Sequence, residues 1–243
     1  DLMVDQLSLR QYVGPVCWPV EPEKIALAMV GMEQARVDVL MKQERSRYKV
    51  EMDDKLFEMS CRLALALEQV MRDNHFDALA SFDQVWLTDP RVGIIPSYGT
   101  SRLCEIGIPT STEADITTLT AMLILQELAG QATFLENYII DYKQDAMILS
   151  HDGHGNPALA ENDAEVAIKH SIYYQGVNGF GAGFEFAYAP GPVTNLALVP
   201  LGGSRWRLVI SEGDALRIVH GAVAGLVSQL IGAVGHESLR MRL

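Results

Sequence analysis

Cysteine is scarce: Cys17, Cys61 and Cys104 stand far apart in 243 residues, and no two have zinc-binding or redox spacing. An odd, sparse set excludes a disulfide framework and fits reduced thiols in a cytoplasmic protein. Positive charge is short too. Nineteen Lys and Arg against 31 Asp and Glu leave a net charge of −12. Such a chain has no broad attraction for phosphate backbones, so nucleic acid is not an expected partner. Long apolar runs are missing. No window reaches the ~20 residues that cross a bilayer; the nearest, residues 218–234, is broken by His220, glycines, Ser228 and Gln229. Internal repeats, low-complexity segments and a secretory signal pattern are also missing. The chain begins at Asp1, within what reads as a structured segment, and a preceding part of a longer protein is expected.

What is there is ordinary for a folded protein: 49% hydrophobic and 21% charged residues, twenty glycines and ten prolines. That length and composition support one large domain or two small ones. Residues 22–44 and 53–73 carry apolar positions at helical spacing. Short apolar runs at 77–83 ("DALASFD") and 93–97 ("GIIPS") fit buried parallel strands. In "EIGIPTSTEADITTLTAMLILQELAG", Pro109 and the Ser/Thr cluster break the pattern. Thr112 or Asp115 can cap a helix there that ends at Gly130. This alternation predicts an α/β layer over residues 1–130. From 131 to 243 the pattern turns to strands: "DAMILSH", "EVAIKHSIYYQG", "AGFEFAYAPGPVTNLALVPLG" and "RWRLVISEG". Their alternation, with Gly-Gly and Pro-Gly turns, predicts an antiparallel sheet or barrel. The tail from 214 reads as helical or irregular.

Six histidines are present, and two of them fall in "ILSHDGHGNP", at the exit of an apolar strand. His151, Asp152 and His154 arrive there within four positions. Glu113 opens the predicted helix, and Glu136 lies between a Phe-Leu pair and a Tyr in "TFLENY". The intervals between Glu113, Glu136 and His151 are too long for one local metal motif, so the fold would have to bring them together. Two carboxylates and an imidazole suit an octahedral Mn²⁺- or Mg²⁺-type ion with open positions for substrate oxygens. The carboxylates can also shuttle a proton. Each residue has a plainer reading: Glu113 complementing the helix dipole, Glu136 exposed to solvent, His151 capping a turn.

The blocks "TEADITTLTAMLILQELAG", "TFLENYIID", "MILSHDGHGNPALA" and "GPVTNLALVPLGGSRWRLVISEG" follow one another in an order that resembles the L-fucose/L-arabinose isomerase family. Its L-fucose isomerase-like sugar isomerase branch is the nearest in pattern. Members show "EGD" at a helix start, then "F-x-E/D", "H-D-G" or "H-C-G" after a strand, "GPVT", and a strand closing in "EGE". The resemblance runs from Asp1 to about Asp214. It implies a flavodoxin-like parallel-sheet layer followed by an antiparallel β-barrel-like domain, with "DLMVDQLSLRQYVGP" handing over from a further domain. It also implies an aldose–ketose isomerase working through an enediol with Mn²⁺, or another divalent cation such as Mg²⁺ or Co²⁺. By position, Glu113 and Glu136 match the two acidic ligands that also act as acid and base, and His151 matches a histidine ligand. Asp152 and His154 would orient His151 or bind sugar hydroxyls. Members assemble as trimers or hexamers, so a homo-oligomer is expected.

Two departures stand out. "EAD" replaces "EGD" at the helix start. The closing blocks are shortened, and the paired histidine is absent, leaving His220 as the favoured fourth ligand over His236. The same residues leave two other readings open: a lyase or hydrolase acting on a sugar or sugar acid at the same site, and a non-catalytic sugar-binding protein.

Overall fold

A computed structural model describes residues 4–143, 145–171, 173–174, 177–178, 180–217 and 236–242, with only the main chain described at 84, 152, 173–174, 177–178 and 236–242. Seven α-helices lie among them: α1 (Gln6–Tyr12), α2 (Pro22–Val30), α3 (Gln34–Arg47), α4 (Asp54–Asp73), α5 (Gln84–Thr88), α6 (Ser97–Glu105) and α7 (Ile116–Ala129). The strands are β1 (Lys49–Glu51), β2 (Leu79–Ala80), β3 (Thr110–Ser111), β4 (Glu136–Asp141), β5 (Ala146–Asp152) and β6 (Ala167–His170). They continue with β7 (Tyr173–Tyr174), β8 (Val177–Asn178), β9 (Ala182–Glu185), β10 (Gly191–Pro200), β11 (Trp206–Leu216) and β12 (His236–Arg242).

The central helix is α4, which buries Phe57, Cys61, Leu63, Ala64 and Leu67 among others. Asp53 caps it, its Oδ1 accepting from the main-chain N–H of Lys55 (3.0 Å) and Leu56 (3.2 Å), a contribution of about 1 kcal/mol. Helix α6 packs directly against α4. A Cβ at Gly99 would stand 2.9 Å from Leu67 Cδ1 and 3.1 Å from Ala64 Cα, so only glycine lets the two helices approach this closely. A buried charge network ties α6 to α3. Arg102 Nη1 donates to Glu44 Oε1 at 2.9 Å, and Glu105 accepts from Tyr48 Oη at 2.6 Å.

Parallel pairing is slight. β1 runs parallel to β6, which pairs antiparallel with β9, and β2 runs parallel to β3. The larger sheet is antiparallel, in the order β10–β11–β12–β5–β4. The result is a mixed α/β molecule. Among the described residues β10 and β4 remain edges and no barrel closes, so the barrel expectation finds no support there; the parallel component is two short pairs rather than a broad layer. β1 and β6 lie on opposite sides of Gly130 in sequence, and one hydrophobic core runs from Ile25 to Ala215.

Local readings fare unevenly. The helix over 53–73 forms as expected. The helix over 22–44 is two, parted at Gly31. Residues 93–97 are not a strand: Ile94 and Ile95 are buried, but Gly93 is left-handed (φ 61°), and the main chain bonds to Phe180 O (2.7 Å, from Ile95 N–H) before α6 starts. Burial of two isoleucines in a loop imitates a short strand. The tail is not simply helical or irregular either, since β11 reaches Leu216 and "HESLRMR" forms β12. In that stretch Leu239 and Met241 alternate with charged residues, a period of two.

Candidate functional site

Strand β5 ends beside the turn that connects β3 to α7. That turn is fixed by its own main chain. Ala114 N–H donates to Ser81 O (2.8 Å) and Asp115 N–H to Thr112 O (3.0 Å), while Ser111 Oγ donates to Asp115 O (2.7 Å). Glu113 and Ala114 are left there with φ of 56° and 57°, a left-handed backbone that costs an L-residue about 1–2 kcal/mol. Strain of this kind concentrates at binding and catalytic positions. Asp115 is committed to the helix. Its Oδ1 accepts from Thr118 N–H (2.8 Å) and from Thr117 Oγ1 (2.7 Å).

Glu113, half-buried, therefore projects from a rigid turn. Glu136 begins the edge strand β4, opposite Ser150 of β5. It is open to solvent on one side and packed on the other. Burial of the packed side raises its proton affinity above the ordinary carboxylate range, and the charges of Glu113 and Asp115 raise it further.

His151 is 5% exposed. Its Nε2 is 2.9 Å from Thr112 Oγ1, and the Phe134 ring meets it edge-on with centroids 4.9 Å apart. His154 lies 5.8 Å away, ring centre to ring centre, and is fully buried. Its Nε2 meets Thr110 O at 2.8 Å and its Nδ1 meets Thr100 Oγ1 at 3.0 Å. A carbonyl only accepts, so Nε2 carries the proton. Burial depresses the pKa of His154 from 6.5 to about 4, so the neutral ring accepts from the threonine hydroxyl through Nδ1. Both nitrogens of His154 are thereby spent on β3 and α6. Gly153 makes the approach possible: it is left-handed (φ 73°), and a Cβ there would stand 3.0 Å from Ser97 Oγ. Asn156 completes the anchoring, its Nδ2 donating to Ala132 O at 2.9 Å.

His151 meets Thr112, and the charge of Glu113, the next residue, acts on Glu136. Among the described residues, no three His, Cys, Asp or Glu side chains stand in the arrangement of an assembled metal site. His220 lies outside the described residues. The main chain of His236 pairs with Asp152, and that of Glu237 with His151. Sequence reading missed Thr100, Thr110 and Phe134 and took Thr112 only as a possible cap. The Ser/Thr run at 110–112 shows in sequence only as a break in periodicity, and nothing local distinguishes a threonine that holds a histidine.

Residues 131–223 match the L-arabinose isomerase C-terminal domain. No curated protein matches the chain. The matched stretch holds Glu136, His151 and the position of His220, and Glu113 lies ahead of it. An arabinose isomerase C-terminal domain points to a sugar-isomerase family, in agreement with the blocks "TFLENY", "ILSHDGHG" and "GPVT".

Proposed function

We propose that the chain forms part of a cytoplasmic, metal-dependent aldose–ketose isomerase acting on a neutral sugar. The observation that carries this reading is the match of residues 131–223 to the arabinose isomerase C-terminal domain; the contact of His151 with Thr112 at the β3–α7 turn and the effect of the Glu113 charge on Glu136 support it. The donor types suit a divalent cation of the Mn²⁺ class. The charges of Glu113 and Asp115 add to the raised proton affinity of Glu136, and a cation between Glu113 and Glu136 would offset that effect. Glu113, Glu136 and His151 would hold the ion, with His220 as a fourth ligand.

Isomerisation moves a proton between C1 and C2 of the sugar. A bound divalent cation would polarise the two neighbouring sugar oxygens and so acidify the carbon-bound hydrogen. Glu136, whose proton affinity is already raised, takes the proton from carbon and returns it to the adjacent one. Glu113, on the strained turn, handles the hydroxyl proton. His151, packed against Phe134, orients the sugar side of the site. The acidic cluster disfavours phosphorylated and carboxylated sugars. Exposed Leu208, Val209 and Ile210 on β11 support a homo-oligomer.

Product analysis with a panel of aldoses and ketoses in Mn²⁺ tests the reading. Interconversion that is lost in Glu113→Gln and Glu136→Gln is the expected result. No conversion of any neutral sugar, or cleavage products in place of the isomer, would refute it.

A further inference from the structure

Helix α6 meets α3 through a buried polar cluster that leaves part of its hydrogen-bonding capacity unspent. Glu44 uses Oε1 on Arg102 Nη1, at 2.9 Å. Glu105 uses Oε1 on the Tyr48 hydroxyl, at 2.6 Å, and on Arg47. The second oxygen of each carboxylate is buried and has no hydrogen-bond partner among the described residues, and the same holds for Arg102 Nε and the hydroxyl of Tyr98. Glu68 Oε2, at 3.9 Å from Arg102 Nε, is too far to serve. The Cys61 thiol of α4 borders Tyr98, but a thiol is a weak partner. The four groups are neighbours. The charges of Arg102 and Glu105 act on Glu44, and those of Glu44 and Arg102 act on Tyr98.

Buried polar atoms are rarely left unsatisfied, because their lost hydration is then not recovered. The chemistry of these four decides what could satisfy them. Carboxylate oxygens only accept, the guanidinium Nε–H only donates, and a hydroxyl does both. A cation would meet the charge of Arg102, and an anion would meet Glu44 and Glu105. Water carries two donors and two acceptor positions. It can donate to Glu44 Oε2 and Glu105 Oε2 while accepting from Arg102 Nε and Tyr98 Oη, and buried waters commonly make about three such bonds.

We propose that Glu44, Tyr98, Arg102 and Glu105 form the binding site of one buried water that bridges α3 to α6. Helix α6 carries Thr100 and Ser101, whose hydroxyls meet His154 Nδ1 (3.0 Å) and the main-chain N–H of Gly155 (3.1 Å). The water thus belongs to the support of the loop after β5. The inference stands apart from the isomerase reading.

A high-resolution crystal structure of the full chain tests it. Ordered water density is expected about 2.5–3.2 Å from Glu44 Oε2 and from at least two of the other three atoms. A map with no water there, or with Tyr98 Oη bonded directly to Glu44 Oε2, overturns the proposal. Water ¹⁷O magnetic relaxation dispersion, which counts long-lived internal waters, supplies the second measurement. The double variant Glu44→Met with Arg102→Met removes two of the four groups and fills their space with apolar chain, so it is expected to lose one long-lived water. An unchanged count in the folded double variant overturns the proposal, and the wild-type map decides it if that variant does not fold.

Discussion

Ala114 occupies a backbone position suited to glycine. The sequence shows the departure, "EAD" in place of "EGD", and the structure gives its physical content, a φ of 57° with φ 56° at Glu113 just before it. Ala114→Gly relieves the steric cost but adds entropy to the unfolded chain. The net expectation is a gain of roughly 0.5–1 kcal/mol, seen as a rise of about 1–4 °C in melting temperature. A melting temperature that falls would show that the turn is held open by something other than backbone strain. His154 gives a second prediction at this scale. Above pH 6.5 its ring is neutral in both folded and unfolded chains. As pH falls, the unfolded ring binds a proton that the buried ring refuses until about pH 4. Stability is therefore present above pH 6.5 and lost between 6.5 and 4, by about 3 kcal/mol in all. Urea unfolding at pH 7 and pH 4.5 should show a smaller drop in His154→Gln than in the wild-type chain. Equal drops would mean that the wild-type ring is protonated in place. None of this was legible from "HDGHGNP", where His151 and His154 look alike. Their difference is made by Thr100 and Thr110, which are distant in sequence.

Helix α6 sits where it does because of two features, the missing Cβ at Gly99 and the ion pair of Arg102 with Glu44. Glu44 is 5% exposed, and burial raises its pKa while the Arg102 charge opposes that rise. Removing the arginine alone strands a carboxylate in the core. Arg102→Met should therefore destabilise the protein by about 3 kcal/mol, and adding Glu44→Gln should restore part of the loss. Chemical denaturation of the two single variants and the double variant checks this; strictly additive losses would deny the coupling. The displacement matters to the site, because α6 carries Thr100 and Ser101, which anchor the loop after β5. At this scale the sequence was a partial guide. Helix α4 and the Asp115-to-Gly130 limits of α7 follow from period and caps. The split at Gly31 and the loop at 93–97 do not, because burial without a ladder has the same pattern as a strand. Partners in a sheet are invisible to local periodicity, so alternation alone does not tell an open sheet from a barrel; among the described residues β10 and β4 are edges.

For the molecule as a whole, metal is the informative variable. A cation that binds only the folded chain stabilises it by mass action, by about 2.7 kcal/mol at a hundredfold excess over the dissociation constant. Mn²⁺ at that excess should raise the melting temperature by roughly 5–10 °C. A chelator should reverse the shift, and Glu113→Gln combined with Glu136→Gln should abolish it. An unchanged melting curve in the wild-type chain would remove the basis for a resident cation. Net charge, sparse cysteine and the ordered blocks pointed to the class of protein; the pairwise geometry about Thr112 had to come from the fold.

The pairing of Val50 with Ile168 has a bearing on how the protein is made. Strand β1 leaves the ribosome long before its partner is synthesised. At about 5–20 residues per second, the intervening stretch of roughly a hundred residues takes on the order of 5–20 s. Throughout that interval the apolar faces of α3 and α4 lack part of their cover in the nascent chain. Production at lower temperature or with added holding chaperones is therefore the condition under which soluble yield should be greatest.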